Sequence, residues 1–242
     1  MTMKRKLVGK GAVSNIYLDN GFAYKVYSEE YPLDWIEYEV NIQREVIQKT
    51  KLRVPNVEFL KNNREIKMDY IDGYTLGERM RKEKYKASLD DLVAIQLSIH
   101  QYSHLNLPQS HEVFQKQLEE SDLDESLKNK ALKILQQIQI KQNLCHFDFH
   151  FLNIMYDHKD YYIIDWVNAK LGNPTMDIAR TYVILKQYAQ RLANRYLKLI
   201  VEKENFNIDE IRLAIPLMAT LRLLEDDTVS FRDTLLELIQ SY

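Results

Sequence analysis

Hydrophobic residues recur along the chain at two different periods, which separate a strand-rich beginning from a helical remainder. Residues 22–27 and 66–69 have the apolar and aromatic content of short strands. From residue 89 onwards apolar positions return every three or four residues, which predicts amphipathic helices over 89–104, 114–140 and 177–201. The pattern therefore predicts an α+β protein, with a small sheet first and a larger, mostly helical part after it.

A β-hairpin is predicted between two polar residues in the second half of the chain. Residues 154–156 and 161–164 have the sequence of two strands, joined by the polar residues 157–160. Asn153 directly precedes the first strand and Asp165 directly follows the second. Pairing of these strands would return Asp165 to the neighbourhood of Asn153.

The residues before this hairpin have spacings that phosphoryl transfer needs. His146, Asp148 and Asn153 stand in the order H-x-D-x-x-x-x-N. In kinase-type chemistry such an Asp orients the acceptor hydroxyl, while the Asn and a later Asp hold Mg²⁺ against the nucleotide phosphates. Mg²⁺ is usually bound by one or two carboxylates together with substrate phosphates. We therefore predict Asp148 and His146 as catalytic residues, and Asn153 and Asp165 as metal ligands.

Three motifs between His146 and Ala179 together resemble one known family. They are His-x-Asp-x-His-x-x-Asn, Ile-Asp-Trp ending at Trp166, and Gly-Asn-Pro-x-x-Asp-Ile-Ala. This combination resembles the aminoglycoside phosphotransferase and choline kinase superfamily. The resemblance implies a bilobal protein-kinase-like fold, with a small antiparallel-sheet lobe and a larger helical lobe. It also implies Mg²⁺-dependent transfer of the γ-phosphate of ATP or GTP to a hydroxyl of a small molecule.

The N-terminal residues have the sequence of a flap over phosphates. Gly9 and Gly11 stand just before an apolar strand, and glycine permits close approach of the backbone to a ligand. Ser14 and Asn15 match the Ser-Asn that often follows these glycines in the family. A Walker A loop is absent from the sequence.

A predicted strand carries Lys25, whose ammonium group needs a negative partner among apolar neighbours. Nucleotide phosphates would supply one, and a carboxylate on the next helix, predicted over residues 34–51, would supply another. We expect Glu45 to hold Lys25, with Glu37 and Glu39 as competitors. Residues expected near one face of this helix are Trp35, Tyr38, Ile42, Glu45 and Lys49.

Residues 66–73, IKMDYIDG, resemble the strand and linker that join the two lobes of kinases. In the family the backbone of this segment meets the nucleotide base. We therefore expect base contacts from Met68, Asp69 and Ile71.

Length and composition agree with one compact two-lobed enzyme. The chain has 242 residues, 45% of them hydrophobic, which supports a nucleotide-binding lobe over 1–72 and a catalytic and acceptor-binding lobe over 73–242. A net charge of −2 with interspersed signs argues against nucleic-acid or membrane-surface partners. With one cysteine, no signal-like apolar stretch near the start and no membrane-length run, the cytoplasm is the expected compartment.

Three alternatives to a small-molecule kinase remain at this point. A compact atypical protein kinase would share the nucleotide machinery, and a pseudokinase module would bind nucleotide without turnover. A metal-dependent hydrolase would use His146, Asp148 and His150, which alternate and would share one face of a strand.

The identity of the acceptor is open. Glu225, Asp226 and Asp227 form an acidic cluster that would attract a polycation such as an aminoglycoside, or that simply lies in solvent at a helix end. Aromatic residues would equally suit a quaternary ammonium group such as that of choline.

Overall fold

The structure, a computed structural model, describes residues 5–11, 13–204 and 206–241. Ala12, which belongs to the expected phosphate flap, and residues 1–4 lie outside the described residues. The chain divides into two compact units. The first comprises the described residues up to Glu83 together with Leu152–Val167, and the second comprises Lys84–Phe151 and the described residues from Asn168 onwards.

The elements follow one another along the chain in a strand-rich part and then a helical part, as the hydrophobic pattern predicts. In order they are β1 (Lys6–Lys10), β2 (Ser14–Asp19), β3 (Phe22–Tyr27), α1 (Leu33–Lys49), β4 (Val57–Leu60), β5 (Glu65–Asp69), β6 (Tyr74–Thr75), α2 (Leu76–Lys82), α3 (Ser88–Ile99), α4 (Ser110–Glu119), α5 (Glu125–Gln137), β7 (Asn143–Cys145), β8 (Ile154–Tyr156), β9 (Tyr161–Ile163), β10 (Lys170–Gly172), α6 (Pro174–Tyr188), α7 (Gln190–Glu204), α8 (Ile208–Arg222) and α9 (Arg232–Gln240).

A five-stranded antiparallel sheet forms the centre of the first unit. Its strand order is β1-β2-β3-β5-β4, so β3 and β5 lie inside the sheet and β1 and β4 at its edges. Helix α1 covers one face, where Ile36 and Val40 pack with Tyr27 and Ile66 in a buried cluster. The central strands therefore hold their side chains between the sheet and this helix.

The face of α1 that meets the sheet differs from the predicted one. Ile36, Val40 and Val46 are fully buried, while Trp35 remains 62% exposed. Of the residues expected near one face, Trp35, Tyr38, Ile42, Glu45 and Lys49, only Ile42 is buried. The buried side instead follows the helical period from Ile36 to Val40 and Gln43, and Glu39 shares it.

The predicted hairpin is confirmed as β8 and β9, which pair antiparallel from Ile154 with Ile163 to Tyr156 with Tyr161. Strand β6 pairs with β8 and completes a three-stranded sheet within the first unit. The hairpin therefore belongs to the unit that contains Lys25. This differs from the division at residue 72 proposed from the sequence, which assigned the hairpin to the second lobe.

Helix α6 is the buried centre of the second unit. Its residues are buried from Pro174 to Leu185, and α7, α8 and α9 all pack against it. Asn173 caps the helix by accepting a hydrogen bond from the amide of Thr175. Asp177 consequently lies inside the first turns of the helix and is free to serve another purpose than capping.

Pro216 lies within α8, where it removes one backbone donor. The hydroxyl of Thr220 donates to the carbonyl of Pro216 at 2.8 Å. Among the described residues no helix combines the length and the apolar content needed to cross a bilayer.

We expect Gly73→Ala to destabilise the protein, because a Cβ atom at this position would lie 1.9 Å from the carbonyl oxygen of Tyr156. The backbone of β8 would have to move, at a cost of about 1–3 kcal/mol. Urea unfolding of both proteins measures the difference. An unchanged free energy of unfolding would show that this close approach is not maintained.

Candidate active site

Lys25 lies between two carboxylates in the first unit. Its Nζ atom is 2.6 Å from Oε1 of Glu39 and 3.6 Å from Oδ1 of Asp165. The hydroxyl of Tyr27 donates to the second oxygen of Glu39 at 2.5 Å. Because Glu39 accepts from both side chains, its position on α1 fixes the direction of the ammonium group.

The surroundings of Lys25 keep it positively charged. Burial by itself lowers the pKa of a lysine, but the charges of Asp165 and Glu39 outweigh that effect and raise the pKa of Lys25 above its ordinary value. Burial and the charge of Glu39 likewise raise the pKa of Tyr27, so its hydroxyl stays a hydrogen-bond donor.

The expectation that Glu45 holds Lys25 is wrong, because Glu39 does so. Glu39 lies on the buried face of α1, three residues after Ile36. Glu45 follows Glu39 by six residues, which places it on a different side of the helix. The choice among the three glutamates depended on which side of α1 meets the sheet.

Asn153 and Asp165 lie together at the base of the hairpin. The amide of Ile164 donates to the carbonyl of Asn153 at 3.0 Å, which holds the residues after β9 beside those before β8. Asp165 adopts a positive φ of 64°, and its side chain is 41% exposed. The indole of Trp166 donates to the carbonyl of Ile163 at 3.0 Å and fixes the turn.

This pair of residues fits Mg²⁺. A carboxylate and a carboxamide are hard oxygen donors of the type that Mg²⁺ accepts, and the cation usually completes its shell with water and phosphate oxygens. The accessible carboxylate of Asp165 beside the ammonium group of Lys25 provides both signs of charge that a metal–phosphate complex needs.

The glycine-rich segment forms the hairpin of β1 and β2, next to the strand of Lys25. Gly9 pairs with Ile16, which in turn pairs with Lys25. A Cβ atom on Gly9 would lie 3.3 Å from the side chain of Ile16, so the absence of a side chain permits this close packing. At the turn the amide of Gly11 donates to the carbonyl of Ser14 at 2.8 Å. Asn15 follows, paired with Lys10 and Val26.

The three residues expected to meet the base lie at the end of β5 and just after it. Met68 pairs with strands on both sides and packs against the core of the first unit. Asp69 is engaged with Asn56, through its amide at 3.2 Å and through its carboxylate at 3.0 and 2.7 Å. These bonds commit the amide and carboxylate of Asp69 to the fold. Ile71 lies between β5 and β6.

The catalytic candidates of the second unit lie in a loop that begins where β7 ends. His146 is fully buried, and its Nδ1 atom accepts from the amide of Asp148 at 3.3 Å. The carboxylate of Asp148 lies 3.7 Å from Nε2 of His150 and is 26% exposed. The alternating strand that a hydrolase site would use does not form here, since β7 stops at Cys145. The described part of the chain contains no group of three His, Cys, Asp or Glu residues that could hold a metal ion.

Asp177 braces this loop from inside α6. Its Oδ1 atom accepts from the amide of Phe147 at 2.6 Å, and its Oδ2 atom lies 2.7 Å from Nε2 of His100 and 3.0 Å from Nε2 of Gln96. Burial would raise the pKa of this carboxyl, but its hydrogen bonds with His100, Gln96 and the amide of Phe147 lower it below its ordinary value. Thr181 extends the brace by donating to the carbonyl of Phe149 at 3.0 Å.

Sequence reasoning missed Gln96 and Thr181 as parts of this brace. Their spacing from Asp177 gives a signal only for Thr181, which lies one helical turn later. Cys145 is buried, and burial with the charge of Asp177 raises the pKa of its thiol, which agrees with packing rather than chemistry.

A cavity of 610 Å³ lies entirely within the second unit. Phe147, the residue between His146 and Asp148, forms part of its wall, together with residues of α4, α6, α8 and β10. Lys170 and Arg180 also line it and are both buried. Burial lowers the pKa of Lys170 to about 8, the charge of Arg180 lowers it as well, and the charge of Glu225 opposes the change.

The acidic cluster near the end of α8 is largely neutralised. Glu225 forms ion pairs with Arg180 and Arg222, and Asp227 lies 2.7 Å from Nη2 of Arg222. Only Asp226 of the three acids has no ion pair within the described residues. The cluster is therefore part of a charge network in the protein and not an open anionic surface.

A comparison with models of protein families identifies the family of this chain. The model of the phosphotransferase enzyme family matches residues 46–212, more than half of the chain. The chain belongs to the phosphotransferase enzyme family. The matched range contains the predicted catalytic residues, the hairpin and Asp177.

Solved structures show that this phosphotransferase has the kinase-like fold that the resemblance implies. The choline kinase LicA from Streptococcus pneumoniae is similar with a TM-score of 0.71 and 15% identity, over 99% of this chain and 94% of that one. The aminoglycoside phosphotransferase APH(2'')-Ib is similar with a TM-score of 0.65 and 17% identity, over 99% of this chain and 93% of that one. A comparison with curated proteins finds no match.

We expect Glu39→Gln to lower the turnover of the phosphotransferase about tenfold or more, because the neutral amide no longer anchors the ammonium group of Lys25. Glu45→Gln, on another side of the same helix, is the matched control and should leave turnover within about twofold. Nucleotide consumption at saturating acceptor measures both. Equal effects of the two substitutions would contradict the assignment of Glu39.

We expect Lys170→Met to raise stability near neutral pH, because the pKa of Lys170 falls from 10.5 to about 8 on folding. The unfolded chain binds more protons between these values, so the stability of the native protein rises with pH across this window. Below pH 8 the free energy of unfolding of the Lys170→Met protein should exceed that of the parental protein by up to about 3 kcal/mol. Urea unfolding at several pH values checks this, with the exposed Lys116→Met as control. A difference that stays constant up to about pH 10 would contradict it.

Proposed function

We propose that this phosphotransferase moves the γ-phosphate of ATP or GTP to a hydroxyl of a small molecule in a reaction that depends on Mg²⁺. The observation that carries the proposal is the position of Lys25 against Asp165, 3.6 Å from its Oδ1 atom, with Glu39 behind it. A cation that is only 16% exposed and is held this firmly beside an accessible carboxylate suits a metal-bound polyphosphate.

The residues of the first unit receive the nucleotide in this proposal. Lys25 binds the α- and β-phosphates, and the hairpin of β1 and β2, with Gly9 and Gly11, covers them. Asn153 and Asp165 would hold Mg²⁺, which neutralises charge on the phosphates when bound. The end of β5 at Met68 and the segment after it at Ile71 meet the base through their backbone. Similar structures that contain ADP and AMP support a nucleotide as donor.

Asp148 orients the acceptor hydroxyl and accepts its proton. The transition state of phosphoryl transfer is loose, so positioning contributes more to the rate than proton abstraction does. The loop around Asp148 is held by the buried bond from the amide of Phe147 to Asp177 and by the bond within the loop to His146. These contacts restrict the motion of the carboxylate before any substrate binds.

The choline kinase and aminoglycoside phosphotransferase similarities support a hydroxyl-bearing small molecule as acceptor. A pseudokinase would bind Mg²⁺-nucleotide without consuming it, and an atypical protein kinase would transfer phosphate to a protein. The family match favours an active enzyme over the pseudokinase.

We expect Asp148→Asn to lower turnover by about 10²–10⁴-fold, because the amide neither accepts the hydroxyl proton nor orients it in the same way. Nucleotide affinity should stay within about threefold, since this residue is not assigned to the donor. The exposed Asp226→Asn is the control. The measurements are nucleotide consumption with a panel of alcohols and binding of a fluorescent nucleotide with Mg²⁺.

Two results would reject the proposal. If the Asp148→Asn protein phosphorylated its acceptor at the parental rate, the role of Asp148 would be wrong. If the parental protein hydrolysed a substrate without nucleotide, the reaction class itself would be wrong.

A further inference from the structure

Lys170 is a buried lysine without a carboxylate partner. Its side chain is 7% exposed, and its Nζ atom donates to the carbonyl of Asn168 at 2.8 Å. No carboxylate lies within ion-pair distance of it in the described parts of the chain. Burying an ammonium group is costly unless charge compensates it. A negative group from outside the protein would provide that compensation.

A second buried cation lies on the same cavity wall. Arg180 is 5% exposed and donates through Nε to the carbonyl of Phe147 at 3.2 Å and through Nη2 to Glu225. Its Nη1 atom has no hydrogen-bond partner among the described residues. Arg180 is close enough to lower the pKa of Lys170, so the two positive charges repel one another, while the charge of Glu225 acts in the opposite direction. A bound anion would remove this repulsion.

The ammonium group of Lys170 disfavours a cationic ligand near the aromatic residues of the cavity. The ammonium group of Lys170 lies 5.8 Å from the ring centre of Phe114 and 5.9 Å from that of Phe147. A ligand ammonium group would have to approach the same ring faces against a fixed positive charge. Three acids, Glu120, Asp122 and Glu225, also line the cavity, but all are exposed, so water and salt weaken their effect, and Glu225 is already paired with Arg180 and Arg222.

The same cavity adjoins the catalytic loop. Phe147 lines the cavity and is the direct neighbour of Asp148 in sequence. Its carbonyl accepts from Arg180, so one side chain contacts both the loop and the cavity. The volume of 610 Å³ is in the range of small-molecule sites.

We propose that this cavity binds the acceptor of the reaction through an anionic group, a carboxylate or a phosphate ester, that contacts Lys170 and Arg180. The acceptor is then a hydroxylated acid and not a polycation or a quaternary ammonium alcohol. The identification of the ligand as the acceptor rests on the proposed function, whereas the anion site itself rests on the cavity alone.

The first experiment uses the unmodified protein and needs no variant. Calorimetry and thermal shift compare glycerol, choline, glycerate, glycerol 3-phosphate and inorganic phosphate, in the absence of nucleotide. We expect one or both hydroxylated anions to bind at least about tenfold more tightly than glycerol and choline. The glycerate and glycerol 3-phosphate arms separate a carboxylate site from a phosphate site. Binding of choline or glycerol in preference to every anion would overturn the proposal.

The second experiment locates the anion. Lys170→Met should weaken binding of the preferred anion at least about tenfold, while Lys170→Arg, which keeps the charge, should retain most of it. Lys133→Met makes the same change in net charge at an exposed position of α5 that does not line the cavity, and it should leave the affinity unchanged. Equal affinity of the Lys170→Met and parental proteins would overturn the site.

Nucleotide consumption separates this inference from the proposed function. If anion binding depends on Lys170 but the protein consumes no nucleotide with any compound of the panel, the result would support the site and count against the reaction. Consumption with choline or glycerol but not with the acids would support the reaction and overturn the anionic acceptor.

Discussion

The first unit depends on keeping one ammonium group charged inside a protein. Lys25 is in an interior strand, where burial alone would favour the neutral amine. Two carboxylates prevent this, and they come from separate elements, Glu39 from α1 and Asp165 from the end of the β8–β9 hairpin. The sheet, the helix and the hairpin together supply the charges that keep the lysine protonated once it is removed from water.

The second unit stabilises a buried negative charge, also through the polar groups that surround it. Asp177 is a fully buried carboxylate, and hydrogen bonds from Phe147, His100 and Gln96 compensate it. Two of these partners lie on α3 or directly after it, and the third is in the loop that carries Asp148. A buried charge thus connects the helical core with the loop, and moving the loop would leave that charge exposed to an apolar interior. This constraint is what makes the position of the loop definite.

Local sequence patterns allowed much of this architecture to be predicted, whereas contacts between residues distant in sequence were not predictable. The hairpin from Ile154 to Ile163 was predictable because its two strands and its turn are adjacent in sequence. The partner of Lys25 was not, because it depends on which face of α1 meets the sheet, and Glu37, Glu39 and Glu45 lie at different angles around that helix. The bonds of Asp177 to Gln96 and His100 join residues about eighty positions apart, so no periodicity reports them.

The pKa values of Lys25 and Lys170 respond in opposite directions to their surroundings. Both lose water on folding, yet the pKa of Lys25 rises and the pKa of Lys170 falls to about 8. The difference lies in their neighbours, since two carboxylates lie near Lys25, whereas the charge of Arg180 adds to the effect of burial on Lys170 and Glu225 only partly opposes it. Hydrophobic packing would stabilise the position of Lys170 better than an ammonium group does. A side chain that opposes stability and lines a cavity beside the catalytic loop is most simply explained by a ligand that supplies the missing negative charge.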